Sequence, residues 1–194
     1  MKKKILALTL SALLALPLAA GAAEIAPSFP NLFTSSGLTL DYAAPISRAE
    51  FSMLTFEAFR SINGGVFPQM EAKNIFTDVG ENPEDMFVVM LYGLRIVNGV
   101  GNDTFAPRRT ITREEACTML TRAALRQNPD IMVEIEKADV SAIPGADEVS
   151  TWAKESVAYM YEKGVLTLCG DSLSPKAPLT CEEAMVMCTA YIGA

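Results

Sequence analysis

No histidine occurs among the 194 residues, which removes the commonest general base and metal ligand together. Ser-His-Asp triads, Cys-His pairs and zinc-peptidase helices are therefore excluded. A Gly-rich loop ahead of a Lys-Ser/Thr pair is also missing. Gly99-Val100-Gly101 is only two glycines in a loop, so no phosphate cradle is read here. The four cysteines, Cys117, Cys169, Cys181 and Cys188, lack the paired short spacings of a zinc site. Beyond the N-terminal segment, no apolar run approaches the length of a membrane span. These gaps leave no catalytic set, no cofactor and no metal to expect, and the chain reads as a non-enzyme.

The N-terminus carries Lys2, Lys3 and Lys4, an apolar run from Ile5 to Leu16, then Pro17 and the small residues Ala19 to Ala23. That order is the pattern of a secretory signal peptide, with cleavage expected after Ala22 or Ala23. The protein is expected to be exported, with no membrane attachment once the signal is removed. Loss of the three lysines takes the formal charge from -7 to about -10. A surface this acidic repels nucleic acid and anionic lipid, so an anionic ligand needs a local cationic pocket. Half of the residues are hydrophobic, which argues for a packed core rather than disorder.

One short phrase is written three times: Ile46-Ser47-Arg48-Ala49-Glu50, Ile111-Thr112-Arg113-Glu114-Glu115 and Leu179-Thr180-Cys181-Glu182-Glu183. Each copy is a capping box, in which a hydroxyl and a Glu three residues on satisfy amides at a helix start. The apolar residues that follow share one register. Phe51, Leu54, Thr55, Ala58 and Phe59 correspond to Ala116, Met119, Leu120, Ala123 and Ala124, and to Ala184, Met187, Cys188, Tyr191 and Ile192. A 3.6-residue period puts each set on one buried stripe. The copies stand 65 and 68 residues apart, so the unit of organisation is a long repeat.

A matching half-unit precedes the second and third copies. Phe76-Thr77-Asp78-Val79 leads to a helical stretch from about Glu84 to Val97 and a loop ending at Pro107. Ala138-Asp139-Val140 leads through Trp152-Ala153-Lys154 to Val165 and a loop ending at Pro175. The expected fold is all-α, built of helix-loop-helix units. The expected boundaries are a signal peptide over 1–23, a partial first unit over 24–70, and full units over 71–130 and 131–194. Only 23 residues separate the signal from Ser47, whereas Asp78 to Ile111 takes 34. Either Phe29 to Leu40 folds back over the stripe of the first capped helix, or a second molecule covers it.

These residues resemble the S-layer homology family. Its pattern is an Asp after an aromatic, Trp-Ala opening a helix, a Gly-rich loop ending in Asp, Phe and Pro, and then Ile-Thr-Arg-Ala-Glu. The second unit matches from Phe76 to about Arg126 except at the Trp, and the third matches from Asp139 to Ile192. The resemblance implies three units about a pseudo-threefold axis, and a secreted module that binds an anionic, often pyruvate-bearing, cell-wall polysaccharide at the cell surface. It implies a ligand set of Arg48, Arg113, Glu50, Glu115, Asp78, Asp139 and Trp152. The physics of the phrase agrees, because an Arg in the first helical turn adds charge to a positive helix end. Two such arginines beside unpaired amides suit a carboxylate, and their removal should leave the capped helices folded. The competing readings are an ion pair for each Arg, turn formation for each Asp, and core packing for Trp152. A second function stays open, a protein adaptor that binds another surface protein or itself through an exposed first unit.

The third unit departs from the pattern. Cys181 stands in the place of the Arg, and the loop from Gly164 to Pro175 is one residue shorter than that from Arg95 to Pro107. Cys181 reads as drift, as a disulfide with Cys169 in the preceding loop, or as a thiol activated by the helix end. Cys117 and Cys188 read as small core residues.

Overall fold

The computed structural model describes residues 29–39, 41–66, 68 and 73–194. The signal-peptide reading of 1–23 lies outside the described residues. Within them the chain is all helical, with seven α-helices and no strand: α1 Phe29–Ser35, α2 Arg48–Ile62, α3 Asp85–Gly93, α4 Arg113–Gln127, α5 Met132–Lys137, α6 Lys154–Glu162 and α7 Cys181–Gly193.

The three repeated phrases open α2, α4 and α7. Ser47, Thr112 and Thr180 each accept from the amide three residues on, and Glu50, Glu115 and Glu183 each return a carboxylate to the cap amide. Those exchanges satisfy two of the amides that a helix start leaves open. The shared register is buried: Phe51, Leu54, Ala58, Ala116, Leu120, Ala123, Ala184 and Cys188 have no measurable exposure.

The upstream helices are shorter than their apolar patterns suggest. α3 stops at Gly93, because Arg95 turns left-handed at φ 62. Ile96 N–H then donates to Leu91 C=O at 2.9 Å and Arg95 N–H to Tyr92 C=O at 2.8 Å. α6 ends in the same way, Val165 to Met160 at 2.9 Å and Gly164 to Tyr161 at 3.0 Å, with Gly164 at φ 71. This double bond pattern is a Schellman cap, which ends a helix by consuming its last carbonyls. Leu94 to Val97 are thus buried or exposed as a loop, although their apolarity extends the helical pattern.

The units interlock. α3 packs on α2, and α6 packs on α4, so each upstream helix covers the capped helix of the preceding unit. α2 packs also on α7 and α4. At the centre, Ile46 N–H donates to Leu179 C=O at 2.9 Å, Leu179 N–H to Ile111 C=O at 3.1 Å, and Ile111 N–H to Ile46 C=O at 3.0 Å. The three phrases therefore close a ring of backbone hydrogen bonds around buried Ile46, Ile111 and Leu179. Phe29 and Phe33 of α1 are buried in the common core, and Leu38 and Tyr42 pack against it. The leading segment thus folds back onto the core, the first of the two outcomes expected for it.

Candidate functional site

Every capped helix inserts its N-terminus into the loop of the next unit around the ring. Arg48 and Ala49 amides donate to Arg109 and Pro107 carbonyls at 2.9 and 3.1 Å. Arg113 and Glu114 donate to Ala177 and Pro175 at 3.1 and 3.0 Å, and Cys181 and Glu182 to Ala44 and Tyr42 at 2.9 and 3.0 Å. The expectation of unpaired helix-start amides is thereby corrected. The donors that would meet an anion are spent on the chain's own carbonyls.

The two arginines make equivalent clamps. Arg48 sends Nε to Phe105 O at 3.0 Å, Nη1 to Glu115 Oε1 at 3.1 Å and Nη2 to Asn98 O at 3.3 Å. Its guanidinium lies 4.4 Å from the centre of the Phe105 ring, close enough for cation–π attraction. Arg113 sends Nε to Leu173 O at 3.0 Å, Nη1 to Glu183 Oε1 at 3.3 Å and Nη2 to Thr167 O. Both residues are 4% exposed. Burial lowers the Arg48 pKa to about 10, with the charge of Glu115 opposing that and those of Arg109 and Arg122 adding to it, so it stays cationic at neutral pH. A cavity of about 200 Å³ opens beside Arg113, lined also by Thr167, Leu168, Glu182, Glu183 and Met187.

The other expected site residues divide. Glu50 accepts from Ser47 N–H at 2.8 Å as a cap. Glu115 accepts from Thr112 N–H at 3.1 Å, from Arg48 and from Arg109, so it belongs to the clamp. Asp78 holds the loop, accepting from Phe105 N–H and Ala106 N–H at 2.9 Å each. Asp139 does not repeat that role: it accepts from the Ser141 amide and hydroxyl at 2.8 Å each. The Leu173 amide that corresponds to Phe105 donates instead to Pro144 O. Asp139 stands 34 residues before Leu173, against 27 between Asp78 and Phe105, so the longer lead-in carries it out of reach. Trp152 is 58% exposed, which corrects the reading of it as core. It is the middle residue of a single 3-10 turn, Thr151–Ala153, in front of α6.

Cys181 is free, buried, and beside Glu50 and Asp41, with burial raising its pKa to about 11; Cys169 is free and exposed. The disulfide and activated-thiol readings are both corrected by that placement. Burial and two neighbouring carboxylates oppose a thiolate more strongly than the helix end favours one. Cys117 and Cys188 are fully buried.

Two further charged clusters were missed in the sequence. Arg108 pairs with Glu84 and Asp85, while Lys176 binds Glu114 and Ser150. Arg108 and Lys176 each follow a loop proline by one residue, and that shared position was their one visible mark.

The capped helices thus dock into neighbouring loops, two of them through an arginine clamp, and a cavity opens beside one of those clamps. Residues 75–117 match the S-layer homology domain. The matched segment runs from the lead-in of α3 into the second turn of α4, and so contains Asp78, Arg113 and Glu115. Domains of this family are binding modules of the cell wall and cell surface. No curated protein matches the chain.

Proposed function

We propose that this protein is an exported docking module that holds to an anionic, for instance pyruvate-bearing, cell-wall polysaccharide through grooves beside Arg48 and Arg113. The observation that carries the reading is the family match over 75–117. The clamps support it physically. A guanidinium has five N–H donors in a rigid fork, and each clamp occupies three nitrogens with one bond apiece. The donors left over are already fixed in place, so a carboxylate meets them with little further ordering. At the Arg113 cavity, Glu182 and Glu183 offer acceptors to sugar hydroxyls, and elsewhere on the surface exposed Trp152 offers a ring face on which a sugar can stack. In this reading Glu50, Glu115 and Asp78 hold the grooves in shape, and Asp139 fixes the turn that leads to Trp152. The units 24–70, 71–130 and 131–194 surround a pseudo-threefold axis, which the closed ring of Ile46, Ile111 and Leu179 supports. Export through residues 1–23 is part of the same proposal.

The test is sedimentation of the mature chain with purified cell-wall sacculi, before and after extraction of their attached polymers. Retention that disappears on extraction is expected. Equal retention on stripped sacculi, or none on intact ones, would sink the proposal.

A further inference from the structure

The chain is acidic, yet one open groove of about 620 Å³ presents positive charge alone. It lies between the C-terminal end of α3 and the second half of α4. Its lining includes Arg95, Arg122 and Arg126 over Leu94, Leu125 and Met132, with no acidic residue. Among the described residues none of the three arginines forms an ion pair. Arg122 and Arg126 are four apart and so share a face of α4.

Stability accounts for two of these charges in part. Arg95 follows the end of α3 and Arg126 lies in the last turn of α4, where a helix end favours a cation. Arg122 has no such reason. It is half-buried in the middle of a helix, desolvation lowers its pKa, and no carboxylate offsets that. Its charge also reaches Arg48, although no residue of the Arg48 clamp lines this groove. Arg95 adds a second cost, since it holds the left-handed position that glycine fills after α6, and a side chain there is strained.

We infer that Arg95, Arg122 and Arg126 form a binding groove for an acidic oligosaccharide, distinct from the sites at the clamps. Three guanidinium groups around one groove fit a ligand that bears repeated anionic groups. The apolar floor of Leu94, Leu125 and Met132 fits the carbon faces of sugar rings. The inference rests on these residues and not on the wall-docking proposal.

The experiment is calorimetric titration of the full mature chain with tetragalacturonate, using neutral maltotetraose as the control, at low and high salt. Wild type is expected to bind the acidic probe alone, with affinity falling as salt rises. The double variant Arg122→Gln/Arg126→Gln is expected to lose more than tenfold in affinity while keeping its melting temperature, since neither side chain has a partner to strand. Arg95→Gly separates binding from folding. It removes a guanidinium and relaxes the backbone, so it should weaken binding and raise the melting temperature together. No binding of tetragalacturonate by wild type, equal binding by the variants, or equal binding of maltotetraose would overturn the inference. Loss of sacculus retention in the earlier test would leave it standing, because the two readouts use different ligands.

Discussion

Arg48 and Arg113 show how an arginine chosen for its charge ends up working through its geometry. Each is buried and bonded to two loop carbonyls and one glutamate. Truncation therefore removes more than a ligand contact, since it strands acceptors that water reaches poorly. Arg48→Ala and Arg113→Ala should each cost about 2 to 4 kcal/mol of stability, read from urea unfolding. A cost below about 1 kcal/mol would mean that water replaces the clamp. The capped helices should still fold in these variants, with the loss felt in stability. Glu115 adds a pH dependence to the same clamp. Burial pushes its carboxyl up, but hydrogen bonds from Arg109 and the Thr112 amide, with the charges of Arg48 and Arg109, bring the pKa below its ordinary 4.5. A carboxyl with a lowered folded pKa contributes stability above its unfolded pKa. That contribution is lost as the pH falls through the folded value. Glu115→Gln should therefore flatten the loss of stability between about pH 5 and pH 3, seen as a smaller drop in melting temperature than wild type shows.

The capped helices are the elements that the sequence states most openly, because a capping box is written within four residues and a helical stripe within twelve. Both depend on neighbours in the chain, and both stand as read. Thr55 was legible as a member of the stripe, yet its hydroxyl is buried without a hydrogen-bond partner. Thr55→Val keeps the shape and removes the stranded hydroxyl, so it should raise stability by about 1 to 2 kcal/mol; a loss in thermal unfolding would reveal a hidden partner. The ends of α3 and α6 were less legible. An apolar run continues through Leu94 to Val97, and only the left-handed residue at 95 or 164 breaks the helix. Glycine announces that break at 164, and arginine conceals it at 95. The ion pairs of Arg48 with Glu115 and of Arg113 with Glu183 match the competing reading of these arginines, but their other acceptors were not legible, since they lie 50 to 60 residues away on backbone carbonyls. Carbonyls have no residue identity for a sequence pattern to catch. Asp139 misled for a related reason, because its local motif matches that of Asp78 while the chain around it is longer. The basic groove left a faint trace in the four-residue spacing of Arg122 and Arg126, but Arg95 joins them only because the chain after α3 lines the same groove as α4.

Across the whole molecule, the ring closes at three junctions built on one plan and finished unequally. Each junction spends two helix-start amides on the neighbouring loop and one amide on the central ring. Two of them add an arginine clamp. The third has Cys181, which is buried beside Glu50 and offers that carboxylate no positive charge. A clamp worth more than about 1.4 kcal/mol changes an opening equilibrium by more than tenfold, so the fold should open first between α7 and the first unit. Native-state hydrogen exchange measures this directly. The Cys181 and Glu182 amides, bonded to Ala44 and Tyr42, should exchange at least tenfold faster than the Arg48, Ala49, Arg113 and Glu114 amides in the same positions of the other junctions. The packing of α7 on α2 works in the opposite direction, since it ties the third unit to the first without any clamp. Equal protection at all three junctions would show that this helix contact, and not the arginines, sets how the ring stays closed.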